Sequence, residues 1–156
     1  MREKPMENRA SILIDHYRKP CCRGVIPDAV LRHEIHNRKC GDRLSFTLTL
    51  EDQTLRDIRF EGAGCFYCIA SASILCSTLS GENKQAALDD IERFRTWLAD
   101  PGSDALPAAS GAESALERNL EEISALGEVK AYPMRIGCVD LAWKGVKEML
   151  SRPDAG

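Results

Sequence analysis

The sequence predicts an α+β fold in which a three-stranded antiparallel sheet carries helices packed on one face. Two observations support this prediction. Three short segments with apolar–polar alternation lie together between residues 31 and 60, and a run of helical patterns follows Gly64. Strands grouped ahead of helices are typical of α+β folds, whereas a parallel sheet would need helices between its strands.

The three strands are predicted from alternating apolar side chains. The segments are LRHEIHN at residues 31–37, SFTLTL at residues 45–50 and LRDIRF at residues 55–60. Alternation with a period of two places the apolar side chains of a strand on one face of the sheet. The polar turn EDQT at residues 51–54 joins the last two strands as a hairpin.

The helices are predicted from apolar residues that recur at helical spacing. The first ends at Pro20, and the second ends at Gly81. The acidic run at residues 87–92 is predicted to form a solvated helix face. The predicted helices cover residues 9–19, 65–80, 84–100, 113–126 and 139–150.

The length of 156 residues predicts a single domain over residues 1–156. The stretch at residues 101–114 is rich in Pro, Gly, Ala and Ser and is predicted to be a flexible loop. Its length is that of a loop and not of a linker between domains.

Charge and hydropathy exclude several classes of partner. The formal net charge is −3 and the pI is near 5.7, so the chain lacks the basic character of a nucleic-acid-binding protein. No apolar run reaches the length of a membrane span, which predicts no membrane insertion. The charged N-terminus MREKPMENRA lacks the apolar core of a signal peptide, so we expect a cytoplasmic protein.

Seven cysteines are many for a chain in a reducing compartment. An odd number without a sign of export argues against a complete disulfide framework. Clustered cysteines in such a compartment favour metal binding or thiol chemistry. The cysteines are Cys21, Cys22, Cys40, Cys65, Cys68, Cys76 and Cys138.

Three of these cysteines share a local setting. Cys40 follows a predicted strand, Cys65 lies at the turn from strand to helix, and Cys138 precedes the last predicted helix. A helix N-terminus favours the thiolate form of a cysteine, and the thiolate is both the nucleophile and the metal ligand. We therefore expect Cys65 and Cys138 to have chemical roles. The alternative is that all three are buried cysteines that act as small apolar residues.

Asp42 adds a carboxylate two positions after Cys40. Three thiolates and one carboxylate suit tetrahedral zinc, and the same thiolates can hold an iron–sulfur cluster. The spacings between Cys40, Cys65 and Cys138 are far wider than those of zinc-finger or ferredoxin motifs. Spacing alone therefore leaves the type of site open.

Cys65 and Cys68 also form a C-x-x-C pair, a spacing that can activate a thiol for redox chemistry. This pattern suggests a third function, that of a small thiol oxidoreductase. No βαβ pattern of the thioredoxin type surrounds the pair. We therefore interpret Cys68 as a bystander or as a neighbour of the site.

Four motifs resemble those of the U-type iron–sulfur cluster assembly proteins, the NifU/IscU-like scaffolds, and specifically their SufU branch. The SufU branch has a longer segment between the second and third of these cysteines, and residues 82–131 resemble that helical insertion. The motifs are LIDHYRKPCCRGVI, NRKCGD, FEGAGCFYCIASAS and YPMRIGCVDLAWKGV.

The resemblance implies a site and a function. The metal ligands of the family fall on Cys40, Asp42, Cys65 and Cys138, which hold zinc in SufU-type proteins. Cys138 would accept persulfide sulfur from a cysteine desulfurase of the SufS type, Arg135 would assist, and downstream iron–sulfur assembly proteins would follow. This would make the protein at most a zinc-dependent sulfurtransferase. The alternative is a scaffold that assembles and transfers a [2Fe–2S] cluster on the same cysteines.

The chain departs from the family pattern at several positions. Arg38 stands where the family usually has proline, and Gly137 replaces the usual Lys or His beside the acceptor cysteine. Cys68 stands where serine is common. Cys21 and Cys22 are predicted to lie in a loop near the site, and the sequence assigns them no role.

Overall fold

One antiparallel sheet and six α-helices make up the part of the chain that the computed structural model describes, residues 6–103, 106 and 114–153. The predicted α+β class is confirmed, with the strands grouped between the first helix and the other five. The elements are α1 Met6–Arg18, β1 Leu31–Asn37, β2 Asp42–Glu51, β3 Thr54–Ala63, α2 Phe66–Leu79, α3 Lys84–Ala99, α4 Ala115–Arg118, α5 Leu120–Leu126 and α6 Ile136–Leu150.

The sheet has the order β1-β2-β3, with both neighbouring pairs antiparallel. Phe46 of β2 faces Phe60 of β3, and Leu48 pairs with Leu31 on one side and with Ile58 on the other. All five side chains are buried. One face of the sheet is therefore apolar and lies under the helices, as the alternation predicted.

The strands β2 and β3 extend beyond the predicted segments. β2 begins at Asp42, and β3 continues to Ala63. The added residues include polar side chains and glycine, so they carry no apolar alternation, but their backbones pair in register, with Arg43 opposite Ala63 and Leu44 opposite Gly62. This extension brings the sheet up to the residues of the candidate site.

Helices α2, α3 and α6 pack around a shared aromatic core. The rings of Phe94 in α3 and Trp143 in α6 stack with centroids 3.9 Å apart. The indole N–H of Trp143 donates to Ser71 Oγ at 3.0 Å, and that hydroxyl donates to the carbonyl oxygen of Val139 at 2.7 Å. This chain of hydrogen bonds satisfies a buried indole and joins α2 to the start of α6, where Cys138 lies.

The helical half differs from the prediction in three places. The helix predicted over 113–126 is two helices that break at Asn119, whose amide donates to Thr78 Oγ1 at 2.5 Å. Helix α6 begins at Ile136, three residues earlier than predicted. The acidic run is not entirely solvated, because Asp90 is 2% exposed. At Asn119 a tertiary hydrogen bond overrides the local pattern.

The predicted insertion at residues 82–131 contains α3, α4 and α5, and a 3₁₀ turn follows at Gly127–Ala131. Most of the predicted loop at residues 101–114 lies outside the described residues. None of the helices in the described ranges has the length and apolar character needed to cross a membrane.

Candidate metal centre

Three separate segments of the chain meet at one end of the sheet. They are the turn between β1 and β2, the turn between β3 and α2, and the first turn of α6. There the Sγ atoms of Cys40 and Cys138 and a carboxylate oxygen of Asp42 all lie within 4.8 Å of one another. Among the described residues, this is the one group of cysteine, histidine and acidic side chains that has the spacing of metal ligands.

The tight turn at residues 38–41 positions Cys40. The N–H of Gly41 donates to the carbonyl oxygen of Asn37 at 2.8 Å, and Gly41 adopts a φ of +73°. That left-handed conformation is easy for glycine and costly for other residues, which explains the glycine after the cysteine. Cys40 itself is exposed. The turn therefore holds one thiol at the solvent side of the cluster.

Asp42 is buried at the start of β2, with 2% of its surface exposed. Its Oδ1 atom accepts a hydrogen bond from the backbone N–H of Cys65 at 3.0 Å. Its Oδ2 atom is buried and has no hydrogen-bond partner among the described residues. A buried carboxylate oxygen without a partner is unfavourable unless a cation or another donor satisfies it. The chemistry of this oxygen and the two thiols fits a divalent metal ion.

Cys138 is the third residue of α6 and is fully buried. Its burial, together with the nearby side chains of Asp42, Cys40 and Cys65, raises the pKa of the thiol well above its ordinary value. The helix N-terminus was expected to favour the thiolate form of Cys138, but burial of the side chain has the larger effect on its pKa. A bound cation reverses this balance, because its charge favours the thiolate over the thiol.

Cys65 lies beside the cluster without joining it. It is the N-cap of α2, has an extended backbone with φ −71° and ψ 172°, and is partly buried. Its sulfur is not in the group of atoms that lie within 4.8 Å of one another. Its thiol does interact with that of Cys138, and its N–H holds Asp42. The structure thus brings three of the four expected ligands together and places the fourth next to them.

Cys68 lies behind the cluster, in the first turns of α2. Its side chain is fully buried, and this burial raises the pKa of the thiol above its ordinary value. A Cβ atom on Gly64 would come within 2.8 Å of Cys68 Sγ and 3.0 Å of Asp42 Oδ1. Glycine at position 64 therefore allows Cys68 and Asp42 to pack against the same turn. A buried thiol with a raised pKa is a poor nucleophile, which argues against a Cys65–Cys68 redox pair.

Arg135 brings a positive charge to the cluster. It immediately precedes α6, and a hydrogen bond with the Cys138 thiol raises the pKa of its guanidinium group. Electrostatic interactions with Cys65 and Cys138 raise this pKa in the same direction. An exposed cation in this position would stabilise negative charge on the Cys138 sulfur.

The three histidines have other partners. His16 contacts Ser73 Oγ at 2.7 Å and Glu122 Oε1 at 3.1 Å, so it joins α1 to α2 and α5. His33 pairs with a glutamate of α6, and His36 pairs with a glutamate of its own strand. None of them belongs to the metal-ligand group found in the described part of the chain.

One feature of the loop after α1 was not predicted. Cys21 and Cys22 are joined by a disulfide bond between adjacent residues. The adjacency of the two cysteines is visible in the sequence and is the signal that could have indicated the bond. Their position in a loop is as predicted, but the sequence indicates no role for them.

This sheet, with helices on one face and a buried cluster of thiols and a carboxylate at one end, defines a small protein built to hold metal or sulfur. The model of the NifU-like N terminal domain matches residues 8–139. The chain belongs to that family and is an iron–sulfur cluster assembly protein of the IscU/SufU type.

Individual relatives agree with this family. The zinc-dependent sulfurtransferase SufU of Bacillus subtilis is 31% identical over 145 residues, which cover 93% of this chain and 90% of the relative. The iron–sulfur cluster assembly scaffold protein IscU of Thermotoga maritima is 31% identical over 140 residues, which cover 90% of each chain.

A solved structure has the same fold. It is a putative iron–sulfur cluster assembly scaffold protein for the SUF system from Fervidobacterium islandicum. It superposes with a TM-score of 0.77 at 26% identity, and the match covers 90% of this chain and 94% of that one. The SufU/IscU-like fold that the sequence motifs predicted is therefore confirmed.

Proposed function

We propose that this protein is a zinc-bound sulfur acceptor that takes persulfide sulfur from a cysteine desulfurase during iron–sulfur cluster assembly. One observation carries the proposal. Cys40, Asp42 and Cys138 converge within 4.8 Å, and the second oxygen of the buried Asp42 has no partner among the described residues. Similarity to a zinc-dependent sulfurtransferase supports the choice of zinc.

Cys40, Asp42 and Cys138 would hold the metal, with Cys65 as the fourth ligand. Three thiolates and one carboxylate suit tetrahedral zinc. Bound zinc would keep the Cys138 sulfur deprotonated and would add to the stability of the surrounding fold. Hydrogen bonding from the Cys65 N–H would keep Asp42 oriented toward the cluster.

Sulfur transfer requires a nucleophilic sulfur at Cys138. The Cys138 thiolate attacks the terminal sulfur of the persulfide on the desulfurase, and a new S–S bond forms. The S–S bond of the donor breaks, and the donor cysteine leaves as a thiolate. Arg135, which lies beside Cys138, stabilises the negative charge during this exchange. The transferred sulfur then passes to downstream iron–sulfur assembly proteins.

The test combines elemental analysis with a desulfurase assay. We expect about one zinc per chain, as one four-ligand site requires. Cys138→Ala should abolish stimulation of the desulfurase, whereas Cys76→Ala, the same change at a buried cysteine on α2, should preserve it. Unchanged stimulation by Cys138→Ala would remove Cys138 from the acceptor role.

Mass spectrometry can locate the transferred sulfur. Trypsin releases Cys138 in the peptide of residues 136–144, which contains no other cysteine. After incubation with the desulfurase and cysteine, this peptide should carry one added sulfur. An added sulfur on the peptides of Cys40 or Cys65, with none on residues 136–144, would assign the acceptor to another thiol.

The second candidate function is a scaffold that assembles and transfers a [2Fe–2S] cluster. Similarity to proteins named as IscU scaffolds favours it, as does the thiol-rich ligand set. Anaerobic reconstitution with iron and sulfide should then give a coloured protein that passes its cluster to an acceptor, and Asp42→Ala should make the cluster more persistent. A colourless protein that retains zinc and takes up no cluster would contradict this function.

A further inference from the structure

The loop between α1 and β1 contains the chain's one pair of adjacent cysteines, Cys21 and Cys22. We propose that this pair is a reversible dithiol–disulfide site, distinct from the metal centre, that exchanges with small thiols and disulfides. Its redox state controls how residues 22–24 cover the free edge of β3. The structure joins the two residues in a disulfide bond, and both are partly buried.

Oxidation of the pair is a thiol–disulfide exchange with a small-molecule disulfide. The thiolate of one cysteine attacks the small disulfide, forms a mixed disulfide and releases one small thiol. The second cysteine attacks the mixed disulfide, the Cys21–Cys22 bond forms, and a second small thiol leaves. The protein loses two electrons and two protons, and the small disulfide gains them. Small thiols in excess reverse both steps.

The backbone at the pair is attached to two elements of the fold. The N–H of Cys21 donates to Ser73 Oγ of α2 at 2.8 Å. The carbonyl oxygen of Cys22 accepts a hydrogen bond from the N–H of Phe60 at 3.0 Å, and the N–H of Gly24 donates to the carbonyl oxygen of Phe60 at 2.9 Å. The loop therefore pairs with β3 as a short additional strand.

This pairing covers an edge that the sheet leaves open. The sheet has the order β1-β2-β3, so among the described strands none lies beyond β3 on its outer side. Unpaired edge groups invite unwanted pairing, and a covering loop protects them. Phe60 is a fully buried member of the hydrophobic core, so this part of the edge is structurally important.

The conformation of Cys22 links the cover to the redox state. Cys22 has a φ of +66°, in the left-handed region that residues other than glycine rarely adopt. A covalent ring between residues 21 and 22 restricts the backbone at that position. Reduction opens the ring and lets Cys22 leave the left-handed region, which would weaken the two hydrogen bonds to Phe60.

The same strand leads to the metal centre. Arg23 donates to the carbonyl oxygen of Gly62 at 3.1 Å, and three residues later the chain reaches Cys65. A change in the cover over β3 is thus transmitted to the turn that holds the fourth ligand. This last step rests on the proposed zinc function, whereas the disulfide and the edge cover do not depend on it.

Peptide mapping tests the disulfide directly. Trypsin releases residues 19–23 as a peptide that contains both cysteines and no others. The purified protein is equilibrated with oxidised glutathione, alkylated and then digested. We expect this peptide to lack two hydrogens and to carry no alkyl group, and to carry two alkyl groups after reduction with a phosphine. Two alkyl groups without reduction, or glutathione on both cysteines, would overturn the proposal.

Hydrogen exchange tests the link to β3. In the double variant Cys21→Ser/Cys22→Ser, the amides of Gly24 and Phe60 should exchange about fivefold faster, as the loss of about 1 kcal/mol of hydrogen bonding implies. The amide of Leu55, bonded to Glu82 at the other end of β3, is the internal control. Equal exchange rates of the Phe60 amide in the wild type and in the double variant would overturn the proposal that the cysteine pair controls pairing at the edge of β3.

Zinc release provides a third readout. With the ring open, zinc should dissociate about fivefold faster, the same factor as for the edge hydrogen bonds. An unchanged dissociation rate would overturn transmission to Cys65. A protein that binds no zinc would instead contradict the proposed function, while the peptide map and the exchange rates would still decide whether the redox site exists.

Discussion

Asp42 and Asp90 are buried to the same extent, each with 2% of its surface exposed, but different groups lie beside the two carboxylates. Asp90, on α3, has a cation of the same helix beside it, with Arg93 Nη1 3.3 Å from its Oδ1 atom. Asp42 instead lies among thiols and accepts one hydrogen bond from a backbone N–H. The chain thus supplies a counter-charge for Asp90, whereas Asp42 lies among thiols in the group that we propose to bind a cation.

The surroundings of Asp90 form a network of ion pairs and hydrogen bonds within the chain, although its Oδ2 atom, like that of Asp42, has no hydrogen-bond partner among the described residues. Arg93 also pairs with Glu117 at 2.7 Å and contacts Ser114 at 2.9 Å, and Ser114 with Glu117 forms the capping box of α4. Burial raises the pKa of Asp90, and a hydrogen bond with Ser114 and the charge of Arg93 oppose that effect. This network joins α3 to α4 and has a structural role. Charge balance within the chain distinguishes such a network from a site that requires a ligand.

The largest expected effect comes from neutralising each of the two carboxylates. Asp42→Asn should lower zinc affinity by about 100-fold or more, because it removes a charged ligand worth about 3 kcal/mol. Asp90→Asn should leave zinc affinity unchanged, because its partner is Arg93 and not a metal. Competition with a chromophoric chelator measures both affinities. Equal losses in the two variants would contradict the distinction between the two sites.

The next effect is the stabilisation of the fold by zinc. At a free zinc concentration 100 times Kd, the free energy of unfolding should rise by about 2.7 kcal/mol. Asp42→Asn at the same zinc concentration should show almost no rise, while Asp90→Asn should show the full rise. Urea unfolding with and without a chelator measures the change. Magnesium serves as the control, since it prefers oxygen ligands and should not stabilise the protein. A similar rise with magnesium would contradict a thiol-based site.

The sequence predicted the sheet well, because apolar alternation reports directly on which face of a strand is buried. The predicted segments of β2 and β3 are shorter than the observed strands. The residues that extend the strands, such as Asp42 and Gly62, pair through their backbones and not through apolar side chains. It also missed the break at Asn119, which follows from a tertiary hydrogen bond to Thr78. Contacts between distant segments leave no periodic signal.

The candidate site was predictable only through the resemblance of its motifs. Spacing alone left the chemistry of Cys40 and Cys138 open, because their approach depends on how α6 docks against the end of the sheet. The burial of Asp42 could not be inferred from the sequence, and neither could that of Asp90, which was expected on a solvated face. Charge pattern along a helix does not reveal which carboxylate has a cation facing it.

A smaller effect should come from the network around Arg93, and it should depend on pH. The hydrogen bonds from Arg93 and Ser114 lower the pKa of Glu117 to about 2 from an ordinary value of 4.5. Since the folded-state pKa is the lower one, the stabilisation is complete above pH 4.5 and is lost as the pH falls toward 2.

At pH 7, Glu117→Gln should therefore cost about 1–2 kcal/mol, a value reduced for the partial exposure of the pair. The difference from the wild type should vanish near pH 2, where Glu117 itself becomes protonated. Urea unfolding across this pH range measures it, with Glu61→Gln, a change at an exposed glutamate of β3, as the control. A cost that does not change with pH would show that Glu117 acts through packing and not through its charge.

The smallest effect is expected at Cys68, which lies against the candidate metal centre and which we interpret as a bystander. Cys68→Ser should leave zinc affinity within about twofold of the wild type and should lower the free energy of unfolding by about 1 kcal/mol, because a hydroxyl replaces a buried thiol. Cys76→Ser makes the same change on the same helix and should cost about as much. Because burial raises the pKa of Cys68, reduction of a model disulfide should not depend on this residue. A marked loss of zinc affinity in Cys68→Ser alone would place this thiol among the ligands, and the boundary of the metal centre would then extend behind Gly64.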